Sequence, residues 1–558
     1  MRLRALVPLI ACAVAVFQAC QPPPPPYDLV VRGGMLLDGT GAEAVRADVA
    51  VSGDRIVAIG DLEGRPAGAV IDATGLIVAP GFIDVQGQSG TTLLADGNGE
   101  SHLRQGITTE IIGEGNSPAF WTAETAQTGL LDAFGVPFDW TSIDGYFQAL
   151  SARGTTINLG TLIPATEVRR QVIGLENRPP TPEELTRMEA IVETAMRGGA
   201  FGLSSALIYP PGSFAATPEL VALARVAARH DGVYVSHIRG ESFNLFSALD
   251  EAITIGREAD IPVVVFHLKV GARENWGRMP EVIAALNAAA QSGVRIGATM
   301  YPYTAGGTGL AASLPTWVQE GGTERMLERL ADPAVRARAR EELETRTEGW
   351  ENLVRAATLE GIQIASVPDD YDQTVLGQRI TDIAKARGAD PWDVYFDLIR
   401  GTGGRAGALY HMMSEEDVRT ALQWGSTSIG TDSAAIRTEG RLAQGSPHPR
   451  AYGTFPRVLG KYVRGEHVIE LREAVRRMTS LAAAQFHIDG RGIVREGLFA
   501  DLVVFDPRTI IDRATYEAPH QYPEGIRWVV VNGVPVLRPD GLTGSRPGRP
   551  LFGRGRAE

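Results

Sequence analysis

Residues 233–269 constrain the chain most. Two apolar runs there each end on a histidine, Val233-Tyr-Val-Ser-His237 and Pro262-Val-Val-Val-Phe-His267-Leu-Lys269, and the stretch between them spaces its apolar residues helically without a proline. A short continuous Val/Ile/Phe run is the mark of a strand buried on both faces, which is the situation of a parallel sheet. The segment therefore reads strand, helix, strand, with a histidine at each strand's carboxyl end.

The same alternation runs from residue 81 to about 484. Strand-like runs fall at 82–85, 109–113, 158–163, 199–205, 233–237, 263–267, 294–301 and 426–432, and eight such units predict an α/β fold of the (β/α)₈ barrel kind. Residues between Tyr301 and Ser426 exceed what a barrel loop holds and include a charged helical stretch, 324–346. An inserted subdomain over the barrel mouth, about 305–425, is expected. Short β-type runs punctuated by Gly and Asp fill residues 28–80 and recur near 497–506 and 526–536, so segments 28–80 and 490–558 should pair into a small β-sandwich beside a barrel at 81–489.

A chain that is 44% hydrophobic and 21% charged has the composition of a globular enzyme. Its net charge of -13, without a basic run, argues against nucleic acid as a partner. The two cysteines, Cys12 and Cys20, lie in an N-terminal stretch with a positive start (Arg2, Arg4), an apolar run from Ala5 to Phe17, and a following run of prolines. Residues 1–20 read as a bacterial secretory signal, too short to span a membrane as a helix, and 21–27 as a proline-rich tether. The segment resembles a lipoprotein signal, in which a lipid on Cys20 would be the sole membrane attachment; cleavage near Ala19 to give a free periplasmic protein is the alternative. Either way no thiolate is left for a metal site in the mature fold.

Most of the nine histidines sit in helical or loop contexts, where surface or helix-end positions are expected. His237 and His267 differ because they occupy equivalent strand ends. Neutral imidazole is the usual zinc ligand, and a catalytic zinc takes about three protein ligands with one open position. Without cysteine the third ligand should be a carboxylate. Asp84, Glu114 and Asp432 all fall at strand ends. Glu114, flanked by Gly113 and Gly115, suits a ligand or a turn-stabilising group, and Asp432, in Thr431-Asp-Ser433, suits a general base or a helix N-cap.

Several ordered blocks make the sequence resemble the D-aminoacylase (N-acyl-D-amino-acid deacylase) branch of the amidohydrolase superfamily. They include Ala79-Pro-Gly-Phe-Ile-Asp-Val85, Gly202-Leu-Ser-Ser-Ala-Leu-Ile-Tyr209-Pro-Pro-Gly212, Ser236-His-Ile-Arg-Gly-Glu241, Tyr301-Pro-Tyr-Thr-Ala305 and His448-Pro-Arg450. The resemblance covers nearly all of the chain from Tyr27 onward. It implies a metal-bearing barrel with a flanking β-sandwich, acting on N-acylated D-amino acids. It also implies that Lys269, Tyr209 and Tyr301 hold the substrate carboxylate, with Arg239 serving either site or fold.

The departures define the site. The superfamily's first strand usually ends His-x-His, whereas this chain has Gln86-Gly-Gln88, and an amide is a poor zinc ligand. The family's cysteine at the tight site is absent, with Glu114 the nearest substitute. One zinc ion on Glu114, His237 and His267, with Asp432 as general base toward an attacking water, is the resulting expectation. Two other readings compete with it: a cyclic-amide, dipeptide or lactone hydrolase of the same superfamily, and a metal-depleted binding protein of the envelope.

Overall fold

The computed structural model describes residues 27–557. The expected signal segment, Cys20 and the prolines of the tether lie outside the described residues. Among the described residues, no helix is long and apolar enough to cross a membrane.

The barrel strands are Phe82–Asp84, Ile107–Ile112, Asn158–Thr161 continued by Ile163–Pro164, Gly202–Ala206, Val233–His237, Val263–Val265, Ile296–Met300 and Thr427–Ile429. All neighbouring pairs are parallel. A parallel bridge between Gly87 and Ser433 joins the first strand's end to the eighth's and closes the ring. Val235, Val264, Phe266 and Ile111 belong to a dry cluster that also takes in Phe486. Helices such as Thr217–Ala228 and Leu245–Ala259 cover the outside with their apolar stripes. As in other barrels of this kind, side chains at the carboxyl ends are free to do chemistry while the interior is filled.

Two sheets form the sandwich. Strands Tyr27–Arg32, Asp48–Ser52, Arg55–Gly60 and Ala67–Asp72 make one, and Met35–Leu36, Val45–Arg46 and Ile77–Pro80 join Leu502–Phe505, Ile526–Val531, Val534–Arg538 and Gly541–Leu542 in the other. Leu29, Val31, Val49 and Ile71 meet Val78, Leu502, Val504 and Val530 between them. Residues beyond 543 leave the sandwich: Pro550 bridges to Leu159 at the amino end of the third barrel strand.

The inserted subdomain is narrower than the span 305–425. It is built on an antiparallel sheet of Ala305–Gly309, Gly407–His411 and Ile362–Ser366, with its own core around Leu314, Leu343, Tyr395 and Tyr410. Helix Glu415–Gln423 already belongs to the barrel and packs beside the eighth strand. The charged stretch 324–346 is two helices, Thr323–Arg329 and Pro333–Thr345, because Asp332 caps the second one and Pro333 opens it.

Candidate metal centre and active site

His237 is the last residue of the fifth strand, and His267 follows the sixth by two residues with φ 37°. A histidine in the left-handed region is uncommon and needs surrounding structure to hold it there. Its N–H donates to Thr299 Oγ1 at 2.8 Å and to Gln86 Oε1 at 3.2 Å, which supplies that hold. Glu114 follows the second strand through Gly113, whose φ of 104° and close approach to the Leu162 carbonyl admit no side chain. Three strands thus deliver three ligand-type atoms to one point. Glu114 Oε1 stands 3.0 Å from His237 Nδ1 and 3.1 Å from His267 Nε2, and the two nitrogens are 2.8 Å apart.

Bonds of about 2.0–2.1 Å at tetrahedral angles place zinc ligand atoms about 3.3 Å from one another. The observed triangle fits that size, and two imidazole nitrogens with one carboxylate oxygen form a suitable donor set. Among the described residues, these three make the cluster able to hold a metal ion. Glu114's environment points the same way. Burial pushes its carboxyl upward, but the two histidines outweigh that and hold it well below the usual carboxylate range.

Gln86 and Gln88 have a different task. Their amide nitrogens donate to Glu114 Oε2 at 3.0 and 3.2 Å, which turns Oε1 toward the histidines. The Gln86 oxygen faces away from that point, accepting from Thr299 Oγ1 at 2.5 Å and from the His267 N–H. The first strand therefore orients the carboxylate while remaining outside the triangle of ligand atoms. Carboxylate, amide and hydroxyl partners of this kind fix the direction of metal ligands.

Asp432, with φ 48°, is held by its own N–H donating to the Gln86 carbonyl at 2.8 Å. Asp84 is buried beneath this turn, accepting from Thr431 N–H and Oγ1, so the first strand also positions the eighth-strand loop. Burial lifts Asp84 to about 6. Of the three strand-end carboxylates, Glu114 joins the histidines and Asp84 does not. Asp432 sits alongside: Gln88 Nε2 is 3.5 Å from its Oδ1 and Arg450 Nη1 is 2.8 Å from its Oδ2. Burial raises its pKa against the opposing Arg450 charge.

A cleft of about 510 Å³ opens above these groups, and Tyr209, Lys269, Tyr301, Arg450, Asp432 and the ligand triangle all line it. Two cations stand near the Tyr301 ring, Lys269 Nζ at 5.6 Å and the Arg450 guanidinium at 4.6 Å from its centre. Burial keeps its hydroxyl protonated, hence able to donate. Lys269 is tethered as well: its Nζ reaches Glu241 Oε1 at 2.5 Å and His267 Nδ1 at 2.7 Å. Lys269 is thus both salt-bridged to Glu241 and part of the cleft wall.

Arg239 is a correction to the substrate-binding set. Its Nε and Nη2 pair with Glu251 at 2.8 and 2.9 Å and its Nη1 and Nη2 bond the carbonyls of Ser213 and Ala215, outside the cleft. Two further histidines are buried: His102 at a helix end, as expected, and His448 in a loop, against the surface expectation. His102 is fully buried against Glu110 at 3.1 Å, and His448 is buried with Nε2 2.9 Å from the Ala305 carbonyl, its ring edge-on to Tyr301 and Tyr303.

Three residues were missed as site groups in the sequence. Arg450 closes the block His448-Pro-Arg450, the one sequence signal that pointed to it. Glu241 lay four residues beyond His237, yet only the fold brings its Oε1 to 2.9 Å from His267 Nδ1. Glu351 could not be found by pattern: from the inserted subdomain it accepts the Glu241 N–H at 3.0 Å and the Ser242 hydroxyl at 2.5 Å, clasping the loop that carries Glu241.

Comparison with known proteins places this site in a context. The amidohydrolase family profile matches residues 69–537. A D-aminoacylase of Alcaligenes xylosoxydans xylosoxydans is 36% identical over 530 residues, covering 94% of this chain and 98% of that protein. An N-acyl-D-glutamate deacylase from the same organism is 34% identical over 94% of this chain and 96% of its own length. Among solved structures, the N-acyl-D-glutamate deacylase of Bordetella bronchiseptica, complexed with zinc and a phosphonate mimic of the tetrahedral intermediate, superposes with a TM-score of 0.79 at 34% identity, covering 94% of this chain and 99% of that one. A D-aminoacylase structure described for one-metal activation and second-metal attenuation of a binuclear centre gives 0.77 at 34% identity, covering 94% of this chain and all of that one. The chain belongs to the D-aminoacylase branch of the amidohydrolase family and is a hydrolase of amide carbon–nitrogen bonds.

Proposed function

We propose that the protein removes the acyl group from N-acyl-D-amino acids, using one zinc ion on Glu114, His237 and His267. The observation that carries this reading is the convergence of that ligand triangle, Asp432 and a cationic carboxylate pocket on one cleft. The preference for D-amino acids rests on the similarity to a D-aminoacylase and an N-acyl-D-glutamate deacylase. A zinc ion held there would polarise the acyl carbonyl and acidify a water in the open position.

The protein's own groups account for the rest. The substrate carboxylate seats beside Tyr301, where Lys269 and Arg450 supply charge and the two tyrosines supply hydroxyl donors. Asp432, 2.8 Å from Arg450 and beside Gln88, takes the proton of the attacking water and returns it to the leaving amine. Glu241 holds both His267 and Lys269, so the metal side and the carboxylate side of the cleft keep a fixed separation. The apolar start and proline run of residues 1–26 support export, with the protein free in the periplasm or anchored through Cys20.

A panel of N-acetyl-D- and N-acetyl-L-amino acids, assayed with zinc-loaded protein, tests the reading. Turnover of D-substrates well above their L-partners is expected. Equal rates, or turnover of L-substrates alone, would refute it.

A further inference from the structure

The cleft continues past the carboxylate pocket. Its other wall carries Asn116, Gln127, Thr166 and Arg170. Gln127, Arg170 and Pro210 also line a second cavity of about 580 Å³, which leads outward between residues 124–127 and the Gln319–Thr323 region of the inserted subdomain. Arg170 stands at the junction, on helix Ala165–Val172, which begins where the third barrel strand ends.

Among the described residues the fold gives this arginine one long ion pair and no side-chain hydrogen bond. Its guanidinium donates no hydrogen bond among the described residues, and its Nε is buried without a partner. The nearest carboxylate is Glu167, whose Oε1 lies 3.4 Å from Nη1 and which burial makes harder to ionise. Thr166, 4% exposed, lines the same wall with its hydroxyl unpartnered. Buried polar groups are bonded in the great majority of native structures, so an unpartnered pair facing a cleft is open to a partner from water, an ion or a ligand.

We propose that Arg170 forms a second anion subsite, which receives a further carboxylate of the substrate, carried on the acyl group or on the amino-acid side chain. The inference rests on the hydrolase reading above. N-succinyl-D-leucine and N-acetyl-D-glutamate carry that second carboxylate on different branches, and N-acetyl-D-leucine carries none.

The zinc-loaded Asp432→Asn protein, in which turnover is suppressed, is titrated with each compound by calorimetry, with and without Arg170→Gln. A tenfold or greater rise in Kd for one dianionic compound relative to N-acetyl-D-leucine is expected, and the compound affected identifies the branch. Ratios within twofold for both compounds would overturn the subsite. Hydrolysis by the unmodified enzyme is followed in parallel: Arg170-dependent binding without hydrolysis would sink the functional reading and leave the subsite standing.

Discussion

Glu351→Gln tests how the inserted subdomain is fastened to the site. Glu351 is 2% exposed, and its carboxyl accepts from the Glu241 N–H and the Ser242 hydroxyl. Burial is the main reason its pKa is pushed up to about 7, with the nearby Glu241 charge adding and the Ser242 hydrogen bond opposing. Against an ordinary value of 4.5, the ionised form costs about 3 kcal/mol in the folded protein. The direction follows from linkage: an acid whose native pKa is raised gives its full stability below about 4.5, and loses it as pH climbs through about 7. Glutamine keeps the clasp, because its oxygen accepts the Glu241 N–H and its nitrogen donates to Ser242, and it carries no charge at any pH. The readout is the Tm of both proteins from about pH 5 to 9. The variant should be close to wild type at the acid end and more stable at the alkaline end. A Tm difference that stays constant across the range would refute the reasoning. Glu351→Ala, which strands the Glu241 N–H, should cost about 2–4 kcal/mol even at pH 5.

Two further outcomes follow from the site itself. Asp432→Asn should lower kcat by about 10²–10⁴ while bound zinc is unchanged, because Asp432 stands outside the ligand triangle; full activity would remove it as the base. Gln88→Ala takes away one of the two amide donors on Glu114 Oε2 and should weaken zinc binding by about 10–100-fold in a chelator competition, whereas unchanged affinity would mean that the glutamine does not orient the ligand.

The parts legible in the sequence were those with a repeating physical cause. Parallel strands buried on both faces favour continuous apolar runs, plain in Val233–His237 and Val263–Val265, and the strand–helix alternation located the more polar strands Asn158–Thr161, Gly202–Ala206 and Thr427–Ile429, and with them the strand-end positions of His237, His267, Glu114 and Asp432. The inserted subdomain showed as an excess of residues, but its far edge was misplaced because helix Glu415–Gln423 has the amphipathic pattern of insert and barrel helices alike. Partnerships between distant segments left no local trace. Arg239 has the same composition whether it reaches into the cleft or back to Glu251, and only the packed helix Leu245–Ala259 decides it. The glutamines of the first strand looked like lost ligands. Their actual function depends on a carboxylate 28 residues away for Gln86 and 26 for Gln88.

Stepwise zinc titration of chelated protein, followed by activity and by metal analysis, tests the central claim most directly. Activity on an N-acetyl-D-amino acid should rise linearly and saturate at one equivalent per chain, and His237→Ala should neither retain the ion nor recover. Full activity in the metal-free protein, or saturation only at two equivalents, would contradict the account.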